Sequence, residues 1–153
     1  MGNSYDGKIA ASVKLKPIEE VAKKIGIHSK YLTLQGKYLA KVSVEILDAA
    51  LKNRKEGKLI LMTSITPSQF GEGKTISTIG LSMAFNKLGK KSIACIQQPS
   101  LGPVFGLKGG AAGGGQAQVL PPEDVNLHLT GDDYAVENAQ NLCASFIDNS
   151  LFW

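Results

Sequence analysis

Lys74 and Thr75 stand directly behind two glycines, Gly71 and Gly73, in the stretch "ITPSQFGEGKTIST" that runs from Ile65 to Thr78. An ammonium and a hydroxyl at the start of a helix, preceded by a glycine-containing turn, are the parts of a phosphate-binding loop. Backbone N–H groups curl around phosphate oxygens, the lysine reaches the outer phosphates, the threonine ligates magnesium, and the helix dipole adds attraction. On this reading Thr66, Pro67, Ser68, Gln69, Phe70, Gly71, Glu72, Gly73, Lys74 and Thr75 form the nucleotide-binding stretch, Lys74 acts in catalysis and Thr75 holds Mg2+. The pattern G-x-x-x-x-G-K-[ST] is not fully met, because Ser68 stands where its first glycine belongs. An incidental turn is the competing reading.

The acids and bases that chain order places near such a loop are Glu72, Asp132, Asp133 and His128. Asp132 follows the carboxyl end of an expected strand, where ligands collect in open α/β sheets, and is the preferred catalytic candidate. Each also has a plain structural role open to it: Glu72 as a solvated loop charge, Asp132 as a helix cap, His128 as a partly buried strand residue.

The surrounding elements must hold these groups in place. "KLILMTSIT", 58–66, is a short, nearly continuous apolar run, which predicts a strand buried on both faces of a parallel sheet. Residues 74–89 then place Ile76, Ile79, Met83 and Leu88 on a helical stripe, with Gly89 as C-cap. "KSIACIQ" predicts a second strand and "DVNLHLT" a third. A helix is expected over 132–149, where Val136, Ala139, Leu142, Cys143, Phe146 and Ile147 share a face and Thr130 or Asp132 caps the start. This order reads as an α/β unit with right-handed crossovers.

Upstream, residues 9–16 alternate weakly up to Pro17. Pro17 and Gly26 bracket a short helix carrying Ile18, Val21, Ala22 and Ile25, and a further helix is expected over 38–52. The division that follows is an N-terminal helical segment, 1–57, and a nucleotide-binding α/β segment, 58–153, both parts of one domain. Three strands leave open sheet edges, and the chain stops on "SLFW", so the domain is expected to be cut short.

Seven of the 17 glycines fall between 102 and 115, within "LGPVFGLKGGAAGGGQAQVLPP". Flexible linkers are Gly/Ser-rich, whereas this stretch carries Phe105, Leu107 and Lys108 and no serine. An ordered loop that presents its backbone is the expected form.

Composition sets the outer limits. The chain has 153 residues, 43% hydrophobic and 20% charged, and no apolar run near the roughly 20 residues of a membrane span. Its charge of +4 comes from basic residues scattered along the chain, an excess that suits an anionic small molecule as well as nucleic acid and most often means only a solvated surface. Cys95 and Cys143 lie in apolar contexts without metal or redox spacing, so buried free thiols are expected. "MGNSYDGKIA" has no apolar signal core, and Asp6 stands where a myristoylation motif has Ser or Thr; the cytoplasm is the expected compartment.

Several strings, in order from about Ile9 to Asn149, together resemble the formate-tetrahydrofolate ligases: "KPIEEVAKKIGI", "GKYLAKVS", "GKLILMTSITP", "GEGKT", "PSLGPVFGLKGGAAGGGQAQV", "NLHLTGD" and "NLCASFIDN". The resemblance implies a P-loop NTPase-like three-layer unit with a mainly parallel sheet, incomplete relative to the family. It implies ATP and Mg2+ as cofactors, formate and tetrahydrofolate as substrates, and a ligation through formyl phosphate to 10-formyltetrahydrofolate. The family's loop also lacks the first glycine of the common pattern. By the same resemblance the glycine loop, with Gly109, Gly110, Gly113 and Gly114, lines the site where the acyl phosphate forms. Nucleic acid and membrane are not implied as partners, and a homo-oligomer is allowed.

The chain departs from the family at polar positions. Gln97 stands where the family has an arginine expected to clamp the acyl phosphate, Gln116 replaces a tyrosine, and Asp133-Tyr134 replace Ile-His. A neutral amide does not offset the arginine charge, and losing one such transition-state contact typically costs about 3 kcal/mol. The parts expected to hold the adenine and folate rings lie downstream of Asn149, so a fragment or truncated member is expected. The alternative is a degenerate paralogue that binds nucleotide or phosphate, or an interaction module, without ligase activity.

Overall fold

The computed structural model describes residues 5–51, 56–66, 68, 71–97, 111–128 and 132–153. Its elements in chain order are α1 (Tyr5–Ser12), α2 (Ile18–Ile25), a 3-10 turn (Ser29–Tyr31), β1 (Leu32–Leu34), β2 (Ala40–Val42), α3 (Ile46–Leu51), α4 (Lys74–Lys87), β3 (Gly113–Gly114), β4 (Ala117–Gln118), a π-helical turn (Asp124–His128) and α5 (Asp132–Phe152). The architecture is mixed helix and strand. Among the described residues the pairings are two antiparallel ones, β1 with β2 and β3 with β4.

Helix α2 follows its sequence signals. Pro17 precedes it, Glu19 and Glu20 fall in the first turn and Lys23 and Lys24 in the last, each complementing the helix dipole. Gly26 closes it in the left-handed region and donates its N–H back to Lys23. Helix α4 likewise ends before Gly89, at φ 73. Helix α5 covers the stretch expected from its periodicity and runs three residues further, to Phe152.

None of the three expected strands is paired among the described residues. Residues 58–66 and 91–97 belong to no β-ladder, and Leu59, Ile65 and Ile93 are exposed. A strand needs a neighbour for its N–H and C=O groups, and among the described residues neither segment is paired in a ladder. Both keep a two-residue rhythm: Met62 and Ser64, then Ser92, Ala94 and Ile96, are half-buried between exposed neighbours. The third, 124–130, is a π-helical turn over its described part. Pro122 precedes it in helical geometry, and a proline ring presets the φ of a first helical turn.

The helix expected over 38–52 is divided. The backbone from Leu39 to Ser43 pairs with Tyr31–Gln35, Gln35 donating its N–H to Leu39 O at 2.9 Å and Ser43 its N–H to Tyr31 O at 2.8 Å, before α3 begins at Ile46. The Ser43 hydroxyl accepts the Glu45 N–H, and such side-chain bonds favour a turn over a continuing helix. Residues 9–12, read as weakly alternating, lie in α1. Cys95 and Cys143, expected inside, are free and exposed, because the segments that carry them are covered on one side at most.

Among the described residues the buried hydrophobic ones are few, three of them alanines: Ala22, Ile79, Ala111, Ala112 and Val125. Ala111, Ala112 and Val125 cluster with Val119 around the β3–β4 hairpin, which lies on helix α4. Asn126 Oδ1 accepts the Ala111 N–H at 2.9 Å, and Val119 donates to Ala112 O at 2.8 Å, so the hairpin is tied at its open end. At the far end of α4, Asn86 Nδ2 donates to Ser92 Oγ (2.8 Å) and to Ser82 O (2.9 Å), while the Ser82 and Ser92 hydroxyls lie 3.0 Å apart. This polar cluster holds segment 91–97 to the helix.

Candidate phosphate-binding site

Gly73 precedes Lys74 at φ 70, and Gly71 lies at φ 81. A side chain in that left-handed region costs energy, so glycine lets the chain turn sharply into α4. The N–H groups of Lys74, Thr75 and Ile76 then have no acceptor within the helix and point out of its first turn. Thr75 is half-buried. The helix ladder begins with Ser77 donating to Gly73 O at 2.9 Å.

Side chains and backbone groups of five residues converge in front of that turn. Lys74 Nζ lies 2.6 Å from Glu72 Oε2 and donates to Ser64 Oγ at 3.2 Å. The Ser68 N–H donates to the other Glu72 oxygen, and Gly71 donates to Ser68 O at 3.4 Å. The Lys74 ammonium, together with the Ser68 N–H, pulls the Glu72 carboxyl down to about 2. Glu72 thus stays ionised and occupies the lysine in the way an anionic phosphate oxygen would.

The donor set fits a phosphate: one ammonium, a serine hydroxyl and first-turn N–H groups, arranged around glycines with nothing within 4 Å of where a Cβ would stand. A nucleotide would be held by Lys74 and these amides, with Thr75 beside a magnesium ion. Among the described residues no group of three His, Cys, Asp or Glu gathers as a metal site.

The other expected site residues are spread. Thr66 is exposed at the end of the extended segment; Pro67, Gln69, Phe70, Gly109 and Gly110 lie outside the described residues. Gly113 and Gly114 form β3, against Ile79 and Ile76 of α4. Gln97 ends segment 91–97 with an exposed side chain, and Gln116 is exposed at the hairpin turn. The backbone of Asp132 opens α5; the side chains of His128, Asp132, Asp133 and Tyr134 lie outside what is described.

Two partners escaped the reading of the sequence. Ser64, a polar residue at the end of an apolar run, was a readable signal for a group facing the loop. Asp6, whose Oδ1 accepts the Gly115 N–H at 3.0 Å, lies 109 positions away and gave none.

The whole pattern has counterparts in known proteins. The family model for formate-tetrahydrofolate ligase matches residues 4–153. Formate-tetrahydrofolate ligase of Thermosipho melanesiensis is 58% identical over 146 residues, 95% of this chain and 26% of that protein. Its counterpart in Kosmotoga olearia is 57% identical over 95% of this chain, and that of Methylorubrum extorquens strain PA1 is 50% identical over 97%. The chain spans about a quarter of the length of these relatives, 26% in each case. A match that runs almost end to end and takes in both the Lys74 loop and the glycine hairpin leaves one conclusion: the chain belongs to the formate-tetrahydrofolate ligase family.

Proposed function

We propose that this chain is the nucleotide-binding part of a formate-tetrahydrofolate ligase, and that Lys74 and the first turn of α4 hold the phosphates of ATP. The observation that carries this is the Lys74 cluster, an ammonium kept at a helix N-terminus by groups that a phosphate can replace. In the reaction a formate oxygen attacks the γ-phosphorus and ADP leaves. The N10 amine of tetrahydrofolate then attacks the formyl carbon, phosphate departs and the nitrogen loses a proton. Such chemistry needs positioning and charge neutralisation more than covalent help. Lys74 supplies charge, Thr75 a hydroxyl for magnesium, and the hairpin glycines Gly113 and Gly114 a thin wall beside them; Asp132 and Gln97 complete the proposed set.

The same reading takes segments 58–66 and 91–97 as strands of an incomplete, mainly parallel sheet with α4 on one face. Their two-residue burial rhythm supports it. It also treats 1–57 and 58–153 as parts of one domain, supported by the Asp6–Gly115 bond across that boundary.

Thermal melting with millimolar ATP and magnesium tests the proposal. The expected result is a raised melting temperature that Lys74→Ala abolishes. No shift in the unsubstituted chain sinks the nucleotide reading. Formate- and folate-dependent ADP release by the chain itself separates a working ligase from a paralogue that only binds phosphate.

A further inference from the structure

Helix α1 and helix α4 grip the glycine hairpin from two sides. On the α1 side, Asp6 Oδ1 accepts the Gly115 N–H at 3.0 Å. Gln118 Nε2 donates both to Asp6 O at 3.2 Å and to Gly115 O at 2.5 Å. A Cβ on Gly114 would stand 3.4 Å from Asp6 Oδ2 and 3.5 Å from Ile76 Cδ1, so this strand is a single glycine layer between the two helices. On the α4 side, a Cβ on Gly113 would stand 2.8 Å from Ile79 Cδ1 and overlap Ala117 O, and one on Gly80 would meet Ala117 Cβ at 3.8 Å. The hairpin therefore rests on Ile76, Ile79 and Gly80, the first two turns of the helix that Lys74 begins.

We propose that Asp6 is a positioning residue for the phosphate loop, acting through the hairpin. Its carboxylate fixes Gly115, the hairpin transmits that placement to Ile76 and Ile79, and the first turn of α4 is held at a set distance from the glycine backbone. A carboxylate accepting a backbone N–H is a charge-assisted bond, stronger than a neutral one. The hairpin offers no side chains of its own at Gly113, Gly114 and Gly115 to do this work. The inference rests on the Lys74 loop binding phosphate, and the experiment separates the two.

The test compares the unsubstituted chain with Asp6→Ala and Asp6→Asn, reading amide hydrogen exchange at Gly115 and ATP affinity by titration. Asp6→Ala is expected to speed Gly115 exchange and weaken ATP about tenfold each. Asp6→Asn keeps an acceptor oxygen and is expected to restore most of both, which also covers the case that the alanine variant fails to fold. Unchanged Gly115 exchange in Asp6→Ala overturns the latch. Faster exchange with unchanged ATP affinity reduces Asp6 to a structural residue and overturns the positioning role. If the unsubstituted chain does not bind ATP, the phosphate reading and the positioning role fall together, while Gly115 exchange still reports whether the latch exists.

Discussion

Upstream of the Lys74 loop, Leu59 is 94% exposed; downstream, Ile79 is 4% exposed. The two residues differ little in hydrophobicity. What differs is what faces them. Ile79 has the hairpin laid across it, brought close by Gly113 and Gly80, which carry no side chains to hold it off. Segment 58–66 has no described strand beside it, so most of its apolar groups remain in solvent. The apolar character of a stretch states a demand for burial; only a second element of the right shape meets it.

The sharpest way to break the contrast is Gly113→Val. Valine would have to adopt φ 86 and push its Cβ into Ala117 O and Ile79 Cδ1. Strain and overlap together are expected to cost about 3–5 kcal/mol, read by urea unfolding. A loss below about 1 kcal/mol would show that the hairpin does not sit on α4 as described. Next comes Ile79→Ala, which empties a well-covered position and is expected to cost about 2–4 kcal/mol.

Acid provides a smaller effect. The Glu72 carboxyl is held below its ordinary value, down to about 2, so its contribution is fully present above the ordinary carboxylate pKa of about 4.3 and disappears as pH falls towards about 2. The melting temperatures of the unsubstituted chain and Glu72→Gln should differ by a constant amount above about pH 5 and converge by about pH 2. A difference that persists unchanged at pH 2 would mean that Glu72 is not paired with Lys74. The smallest effect belongs to Leu59→Ser, expected within about 0.5 kcal/mol because nothing covers this side chain. A loss of several kcal/mol would instead reveal that residues 58–66 are covered in solution.

Local signals carried well from sequence to structure and distant ones did not. Pro17 and Gly26 bracket α2, Gly89 follows α4, and Lys74 begins a helix, because each depends on backbone preferences within a few residues. The hairpin of β1 and β2 was hidden because the helical spacing of Leu39, Val42 and Ile46 competed with a pairing that only Tyr31 and Leu34 reveal. The glycine loop was rightly read as ordered over residues 111–118, yet its order comes from Asp6, Asn126 and Ile79, none adjacent to it in the chain. The 58–66 run was apolar enough to suggest burial on both faces, whereas its half-buried residues Met62 and Ser64 alternate with exposed ones, and neither it nor 91–97 carried any indication of its partner. At the site, the lysine, the glycines and the helix start were legible; the Glu72–Lys74 pairing needed coordinates, since a charge two residues away can as easily face solvent.

The Ser82, Asn86 and Ser92 cluster has one more consequence. A hydrogen-bonded hydroxyl fixes not only where segment 91–97 lies but which parity of its residues faces the helix. With Ser92 turned inward, the odd-numbered residues Ile93, Cys95 and Gln97 share the outward side. A slip by one residue would exchange the two sets. Ser92 is therefore an index mark for Gln97, and the thiol of Cys95, two residues before it on the same side, is a ready-made gauge: its rate of alkylation reads out which way that face is turned.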